Sequence, residues 1–542
     1  MPLCSTQHLR HLNQRLVLKA GTLLLLLLLT ACGGSNPAQY RTTYNQNAEY
    51  NQQAAARVFS EGFEHVTEFY IEEIDASRLA LAAMDNLATI DPEIEIIDNG
   101  DSLTLNYAGE SISRHGYPST LSSKAWAMLT ASVITEARGL SSDFNNASGE
   151  RIYQAAFDGI AGELDRFSRY SKPDIASTDR DNRNGFFGLG IRYIKVPSGA
   201  KVLSVMENTP AEAVGLQKDD IITKVDNRDI RQLSETVITR LMKGPENSRV
   251  RITVVRHPKK TVILNFEIIR KKITVQTVSY SVHDDIVFLQ ISSFNKYTAS
   301  SMRSNVRKAQ KELGDNLKGY IIDLRDNGGG LLGTAIKTAD LFISSGTIIS
   351  TRGRHPDSHN NNSADSQDIA KGLPIIVLIN SNSASSSEIL TAGLQDSGRA
   401  IVIGSNSFGK GTVQRLADLS NGAEMRVTWA RFHAPSGYAI HKRGIIPDIC
   451  TTMGNTETVD DIISLLKSGS LPISDEIKSS SPSLDDEIAL DNIKATCPQS
   501  NEPSELDNDI AELLLITPSL LDLAKGRSEP TTSEVIELDS SL

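Results

Sequence analysis

Apolar positions recur along the chain with three different spacings, and each spacing marks out a region. From residue 56 to 176 they fall mainly at intervals of three and four, which predicts a mainly helical domain. One stretch there alternates strictly instead: EIEII (93–97) and LTLNY (103–107) flank the turn DNGDS, the pattern of a hairpin. From 186 to 256 the runs are short and separated by turn residues, as in GLGIRYI, KVLSVME, DIITKVD and RVRITVVR, with a helix-like SETVITRLM before the last. This predicts a small β-rich domain. From 270 to 450 strand-length runs (DIVFLQISS, GYIIDL, PIIVLIN) alternate with helical ones (ASSMRSNVRKAQKEL, LLGTAIKTADLFI), the order of a mostly parallel sheet flanked by helices. The chain therefore reads as an α+β multidomain protein. Its core closes at GIIPD (444–448), and residues 451–542 read as an acidic, Ser-rich tail with one helix near Ile510 to Lys525.

The first 31 residues have a different character. Arg10, Arg15 and Lys19 precede seven consecutive leucines, a run too short to span a bilayer, which is the pattern of a signal peptide. LTAC (29–32) resembles a bacterial lipobox. That resemblance implies cleavage before Cys32, acylation of its thiol, and a membrane anchor in the bacterial cell envelope; with Gly33 next, it favours the outer membrane, the chain facing the periplasm. An ordinary cleaved signal with an incidental cysteine is the other reading. Residues 32–55, rich in Asn, Gln and Tyr, form a tether. The formal net charge of −11 deepens by three when the signal is removed, and no long basic run occurs, so nucleic acid is excluded as a partner. Cys450 and Cys497 are then left for an oxidising compartment; their separation in sequence leaves a disulfide open.

Candidate chemistry centres on NSNSASSSEIL (380–390), where five serines lead into a helix. A serine hydroxyl needs a nearby base. His433 and His441 fall in a strand-like stretch, which disfavours a Ser-His-Asp triad, and no metal-binding spacing is evident, so neither metal nor cofactor is implied. Lysine is the other base available. Lys410 lies between Gly409 and Gly411 after the apolar strand AIVIG (400–404), and a dry site at such a strand end must supply about 4 to 5 kcal/mol to keep a lysine neutral at pH 7. On residue chemistry alone a solvated loop lysine is the favoured reading.

SNSASSSEILTAGLQDSGRAIVIGSNSFGKGTVQ (381–414) resembles the active-site stretch of the carboxy-terminal processing proteases, the tail-specific serine endopeptidases. The resemblance implies Ser385 as nucleophile, Lys410 as general base, Gln414 as the residue orienting it, and Glu388 and Asp396 as supporting carboxylates. DLRDNGGGLL (323–332) is similar to the family's glycine motif, which implies an oxyanion hole from the Gly329 and Ser386 amides. The stretch from Phe186 to Ile230 resembles a PDZ domain, and its loop Gly188, Leu189, Gly190 and Ile191 is implied to cap a substrate's terminal carboxylate while the peptide adds as a strand. ELDRFSRYSKP (163–173) is similar to a family signature, with Arg166 and Phe167 replacing its usual pair. By the same resemblance the protease core is crotonase/ClpP-like, and polypeptides with accessible apolar C-termini are the substrates. An adaptor lipoprotein and self-assembly stay open as further partners. Two other readings compete: SFGK (407–410) as a penicillin-binding S-x-x-K with Ser407, which lacks its companion motifs, and a catalytically silent peptide-binding lipoprotein.

Overall fold

The computed structural model of the protein describes residues 50–256 and 262–526. The leader, Cys32 and the tether as far as residue 49 lie outside the described residues.

Four longer helices, with a short one at Ser142–Asn146, build the described N-terminal region: α1 (Gln52–Phe69), α2 (Ala76–Asp85), α3 (Ser123–Leu140) and α4 (Gly149–Gly162). Each starts on a side chain that accepts a free first-turn amide, from Asn51, Asp75, Ser122 and Ser148 respectively. Between α2 and α3 the expected hairpin forms, β1 (Ile94–Asp98) pairing antiparallel with β2 (Ser102–Tyr107) and Ile96 opposite Leu105. A third strand, β3 (Glu110–Gly116), completes this sheet; none of its residues is buried, so it left no alternation to read. The helices close on Phe59, Phe63, Trp126 and Phe157, and the Phe157 ring stacks on Tyr170 at 4.6 Å. Tyr170 lies in β4 (Arg169–Ser171), which precedes α5 (Pro173–Asn184).

The small β-rich domain follows: β5 (Phe186–Gly188), β6 (Ile191–Val196), β7 (Gly199–Val205), β8 (Ile221–Val225), α6 (Glu235–Met242), β9 (Arg249–Arg256) and β10 (Val262–Ile269). Its sheet runs β10-β9-β8-β7-β6, which leaves β6 at an edge. Val202, Ile222, Ile238, Ile252 and Val254 fill the interior. Strand β11 (Lys271–Ile273) then pairs antiparallel with β5, so the chain leaves this domain beside the point where it entered.

The core that follows contains β12 (Val278–His283), β13 (Ile286–Ile291), α7 (Thr298–Leu313), β14 (Gly319–Asp323), α8 (Leu332–Ala339), β15 (Thr347–Arg352), β16 (Asn360–Ser363), β17 (Ile375–Ile379), α9 (Ser386–Asp396), β18 (Ile401–Gly404), β19 (Thr412–Asp418), β20 (Glu424–His433) and β21 (Ile449–Cys450). The central sheet has the order β12-β13-β14-β17-β18-β21 and is parallel except for its first pair. A second sheet, β16-β15-β20-β19, gains β4 along β20, where Arg169 faces Arg426. The N-terminal region is joined to the core through this pairing.

Residues 451–526 correct the reading of a tail. Helices α10 (Val459–Ser468), α11 (Glu505–Ile516) and α12 (Pro518–Ala524), with shorter ones at Asp475–Ser479 and Glu487–Ala495, cover the far face of the central sheet. Alternate strand residues point two ways: Ile322 and Val377 face the core under α7 to α9, while Ile321 and Leu378 meet Ile462, Leu466, Ile510 and Leu514. A parallel sheet is stable only with both faces buried, so this segment is half of the core's covering. Apart from the buried Asp507, its acidic residues lie toward the outer surface, which masked the apolar stripes. The cysteine pairing left open by the sequence is made: Cys450, ending β21, is disulfide-bonded to Cys497.

Candidate active site

Ser385 sits at the N-cap of α9 with φ 57° and ψ −111°, a left-handed conformation that costs a non-glycine residue about 1 to 3 kcal/mol. Neighbouring groups hold it there. The Ala384 amide donates to Asn327 O (3.0 Å), and the Ser385 amide donates to Glu388 Oε2 (2.8 Å). The adjacent serines are structural: Ser383 Oγ donates to Leu324 O, Ser386 Oγ to Gly330 O and Ser387 Oγ to Asn327 O. Among the described residues, Ser385 Oγ donates to none, so this hydroxyl alone of the four is free for chemistry. The strained turn aims it outward at the end of the central sheet.

Lys410 is brought to the same place by its glycine frame. A Cβ on Gly411 would lie 2.0 Å from the His441 amide nitrogen, so only glycine lets this loop pass so close to residues 440–444. Lys410 Nζ lies 5.2 Å from the Phe167 ring centroid and has no hydrogen-bond or ion-pair partner among the described residues. Burial holds its pKa below the ordinary 10.5, and the Arg169 and Arg426 guanidiniums add to this; Glu388 and Asp165 oppose it. Ser385 and Lys410 open into one cavity of about 700 Å³, with Gly329, Gln414, Phe167 and Trp429 also in its wall.

Glu388 is what joins them. Fully buried, its Oε1 accepts from Ser407 Oγ (2.6 Å) and the Gly409 amide (2.7 Å), and its Oε2 from the Ser385 and Lys410 amides (2.8 and 2.9 Å). One carboxylate thus binds the nucleophile turn to the lysine loop. Burial pushes its pKa up to about 7, against the pull of the four donors. Ser407 is committed to this network, also accepting from the Ile445 amide, so its hydroxyl serves structure and the S-x-x-K reading lapses.

The other predicted residues are placed unequally. Gln414 lines the cavity, but its amide donates to Thr412 Oγ1 (2.9 Å) and Thr428 Oγ1 (3.4 Å), and no hydrogen bond joins it to Lys410. The Gly329 amide is beside Ser385 with φ 100°, yet it donates to Asn327 Oδ1 (2.9 Å); the Ser386 amide opens the first turn of α9 next to it. Asp396 is a correction: it ends α9, ten residues and about 15 Å along the helix from Ser386, where it accepts from the Ser436 amide (2.8 Å) and lies outside the cavity. His433 and His441 are also outside it, and burial lowers the pKa of both, His441 to about 4. Sequence reading missed Phe167 and Arg169 as cavity residues and Asn327 as a brace, although the departure at 166–167 from the signature pointed to the first.

In the β-rich domain, Gly188 ends β5, Leu189 is buried, Gly190 adopts φ 88° and Ile191 opens β6. Leu189 O and Gly190 O accept from the Ala211 and Met206 amides (2.9 Å each). Tyr193 reaches from the edge strand to α6, its hydroxyl 2.5 Å from Thr239 Oγ1 and 3.2 Å from Glu235 O.

Residues 285–451 match the family model for peptidase family S41, and residues 201–256 match that of the PDZ domain. The carboxy-terminal-processing protease of Bartonella bacilliformis is 37% identical over 302 residues, covering 55% of this chain and 69% of that one. A probable CtpA-like serine protease of Staphylococcus aureus is 31% identical over 401 residues, 69% of this chain and 79% of that one. The chain belongs to peptidase family S41. It is a carboxy-terminal processing serine peptidase with a PDZ domain, and its mixed α/β architecture is a helical N-terminal region, that domain and an S41 core. Among solved structures, the photosystem II D1 C-terminal processing protease aligns over 73% of this S41 chain and 92% of its own, with 22% identity and a TM-score of 0.37.

Proposed function

We propose that this S41 peptidase is a periplasmic endopeptidase, anchored by lipid at Cys32, that cleaves with a Ser385–Lys410 dyad. The carrying observation is that a serine hydroxyl that donates to no described residue and a lysine of depressed pKa open into one cavity and are tied by Glu388. Neutral Lys410 Nζ takes the proton of Ser385 Oγ as the oxygen attacks the scissile carbonyl carbon. The oxyanion is stabilised by the Ser386 amide at the N-terminus of α9 and by the Gly329 amide, which exchanges Asn327 Oδ1 for the substrate oxygen. Lys410 passes its proton to the leaving amine, then activates the water that hydrolyses the acyl-enzyme.

The PDZ domain supplies substrate capture. A polypeptide with an apolar C-terminus adds along the free edge of β6 with its carboxylate at Gly188 to Ile191, displacing the Tyr193 hydroxyl from Thr239. A parallel sheet covered by helices, with the second sheet packed against α9 through β15, supports a crotonase/ClpP-like core. Digestion of an unstructured protein by wild type, Ser385→Ala and Lys410→Ala, followed by mass spectrometry, tests the dyad: wild type alone cuts. Cutting by either variant removes that residue from the mechanism. Labelling with radioactive palmitate in wild type but not in Cys32→Ser tests the anchor.

A further inference from the structure

The cavity wall is basic although the chain as a whole is acidic. Lys410, Arg169, Arg183, Arg415 and Arg426 line it, against Asp179 as the lining carboxylate, in a protein of formal net charge −11. Most of these cations are already satisfied. Arg183 and Arg426 share Glu424, Arg426 also pairs with Asp179, and the Arg415 guanidinium is stacked 3.7 Å from the Phe69 ring centroid and 4.9 Å from that of Trp429.

Arg169 differs. Its guanidinium has no hydrogen-bond or ion-pair partner among the described residues, and the β4–β20 pairing sets it directly opposite Arg426, a second guanidinium. Two like charges facing across a strand pair are destabilising unless anions balance them; Asp179 and Glu424, both bonded to Arg426, act on Arg169 only from beyond hydrogen-bond distance, so its own hydrogen bonds are left unmade. The unbonded guanidinium belongs to a paired strand rather than to a loose surface loop. It also acts on Lys410, the proposed base, and so reaches the reacting centre.

We propose that Arg169, with Arg426 beside it, is a subsite for a carboxylate of the bound polypeptide, placed next to the bond presented to Ser385. A guanidinium matches a carboxylate in planar, two-bonded geometry, and inside a walled cavity that pair gains strength it lacks in open solvent. The carboxylate comes from an Asp or Glu side chain flanking the scissile bond or from the free C-terminus of a short substrate. The subsite selects within the peptidase reading given above and rests on it.

The test compares kcat/KM of the full-length protein for peptide pairs that differ only as Glu against Gln at each position flanking the cleaved bond, and as free acid against C-terminal amide. Wild type favours the carboxylate member of one pair about tenfold. Arg169→Gln brings that ratio near one, and Arg169→Glu reverses it so that a Lys-containing peptide is preferred. A Glu/Gln effect assigns the carboxylate to a side chain; an acid/amide effect that responds to Arg169 assigns it to the terminus. Ratios equal in wild type and Arg169→Gln overturn the subsite while leaving the peptidase intact. If wild type cuts no peptide, the dyad reading falls, and anisotropy of the labelled pairs on the Ser385→Ala and Ser385→Ala/Arg169→Gln proteins still decides the subsite: a carboxylate preference lost in the double variant supports it, and identical preferences refute it.

Discussion

Glu388→Gln removes the charge that binds the nucleophile to its base without removing the atoms. Glutamine keeps one oxygen and replaces the other with an NH2 group. Two of the four donors now on the carboxylate, Ser407 Oγ with the Gly409 amide or the Ser385 amide with the Lys410 amide, then face another donor. Hydrogen bonds to a charged group contribute about 1.5 to 3 kcal/mol each, so the local cost is about 3 to 6 kcal/mol. Part is returned because glutamine carries no buried charge. The shift of the Glu388 carboxyl from 4.5 to about 7 corresponds to about 3 kcal/mol of disfavoured ionisation at alkaline pH. The net loss of stability is therefore about 0 to 3 kcal/mol, and the variant folds. Activity falls much further, since whichever pair is lost frees either the Ser385 turn or the lysine loop, and a displacement of about 1 Å costs about 100-fold. Steady-state kinetics at pH 8 are expected to show that fall in kcat with KM within about threefold, because Glu388 touches no substrate. Stability carries a second signature. The native carboxyl holds its proton to a higher pH than the unfolded one, so between about 4.5 and 7 the native state binds more protons, and this group's contribution to stability declines as pH rises through that window. Urea unfolding of Glu388→Gln lacks this decline. A variant with wild-type kcat and a wild-type pH dependence of unfolding would refute the role of Glu388 as the tie.

Four further outcomes follow from the geometry. In the pH profile of kcat/KM the rising limb belongs to Lys410 and has its midpoint below 10.5; Arg169→Gln, by removing a positive charge that opposes protonation, moves that midpoint upward, and an unmoved limb would separate Arg169 from the base. Tyr193→Phe abolishes the bond from β6 to α6 that an added peptide strand displaces, so titration calorimetry is expected to show about fivefold tighter binding of a C-terminal peptide, corresponding to about 1 kcal/mol. Leu514→Ala, a buried change in the helix covering the central sheet, lowers the unfolding free energy by about 2 to 5 kcal/mol, whereas a dispensable tail would leave it unchanged. Cys450→Ser/Cys497→Ser opens a loop with a sequence separation of 47, which in the chain-entropy account costs about 4 kcal/mol and is read as a lower urea midpoint than wild type without reductant.

Much of the architecture was legible because its signals are local. Alternation at 93–107 marked a hairpin, the strand and helix runs after residue 280 marked a parallel sheet, and the serine cluster with the glycine-framed Lys410 marked the chemistry, since each depends on residues close together in the chain. What stayed hidden depends on distance. Helices α10 to α12 cover the sheet with stripes such as Ile510 and Leu514, spaced among acids that dominate the composition, and whether a stripe meets a core is settled only by the surface across from it. Arg169 and Phe167 reach the cavity because β4 pairs with β20, more than 250 residues later, and pairing energy between remote strands leaves no mark on either one alone. Asp396, read as a supporting carboxylate from its motif, lies at the far end of α9 because helical rise carries it away from Ser386. The sequence by itself determined which groups are able to react: a serine at the head of a helix, and a lysine between glycines. Tertiary structure alone decided that they share a cavity, that Glu388 ties them, and that the surrounding charge is positive, because burial and electrostatic fields are properties of packed neighbours in space rather than of neighbours in the chain.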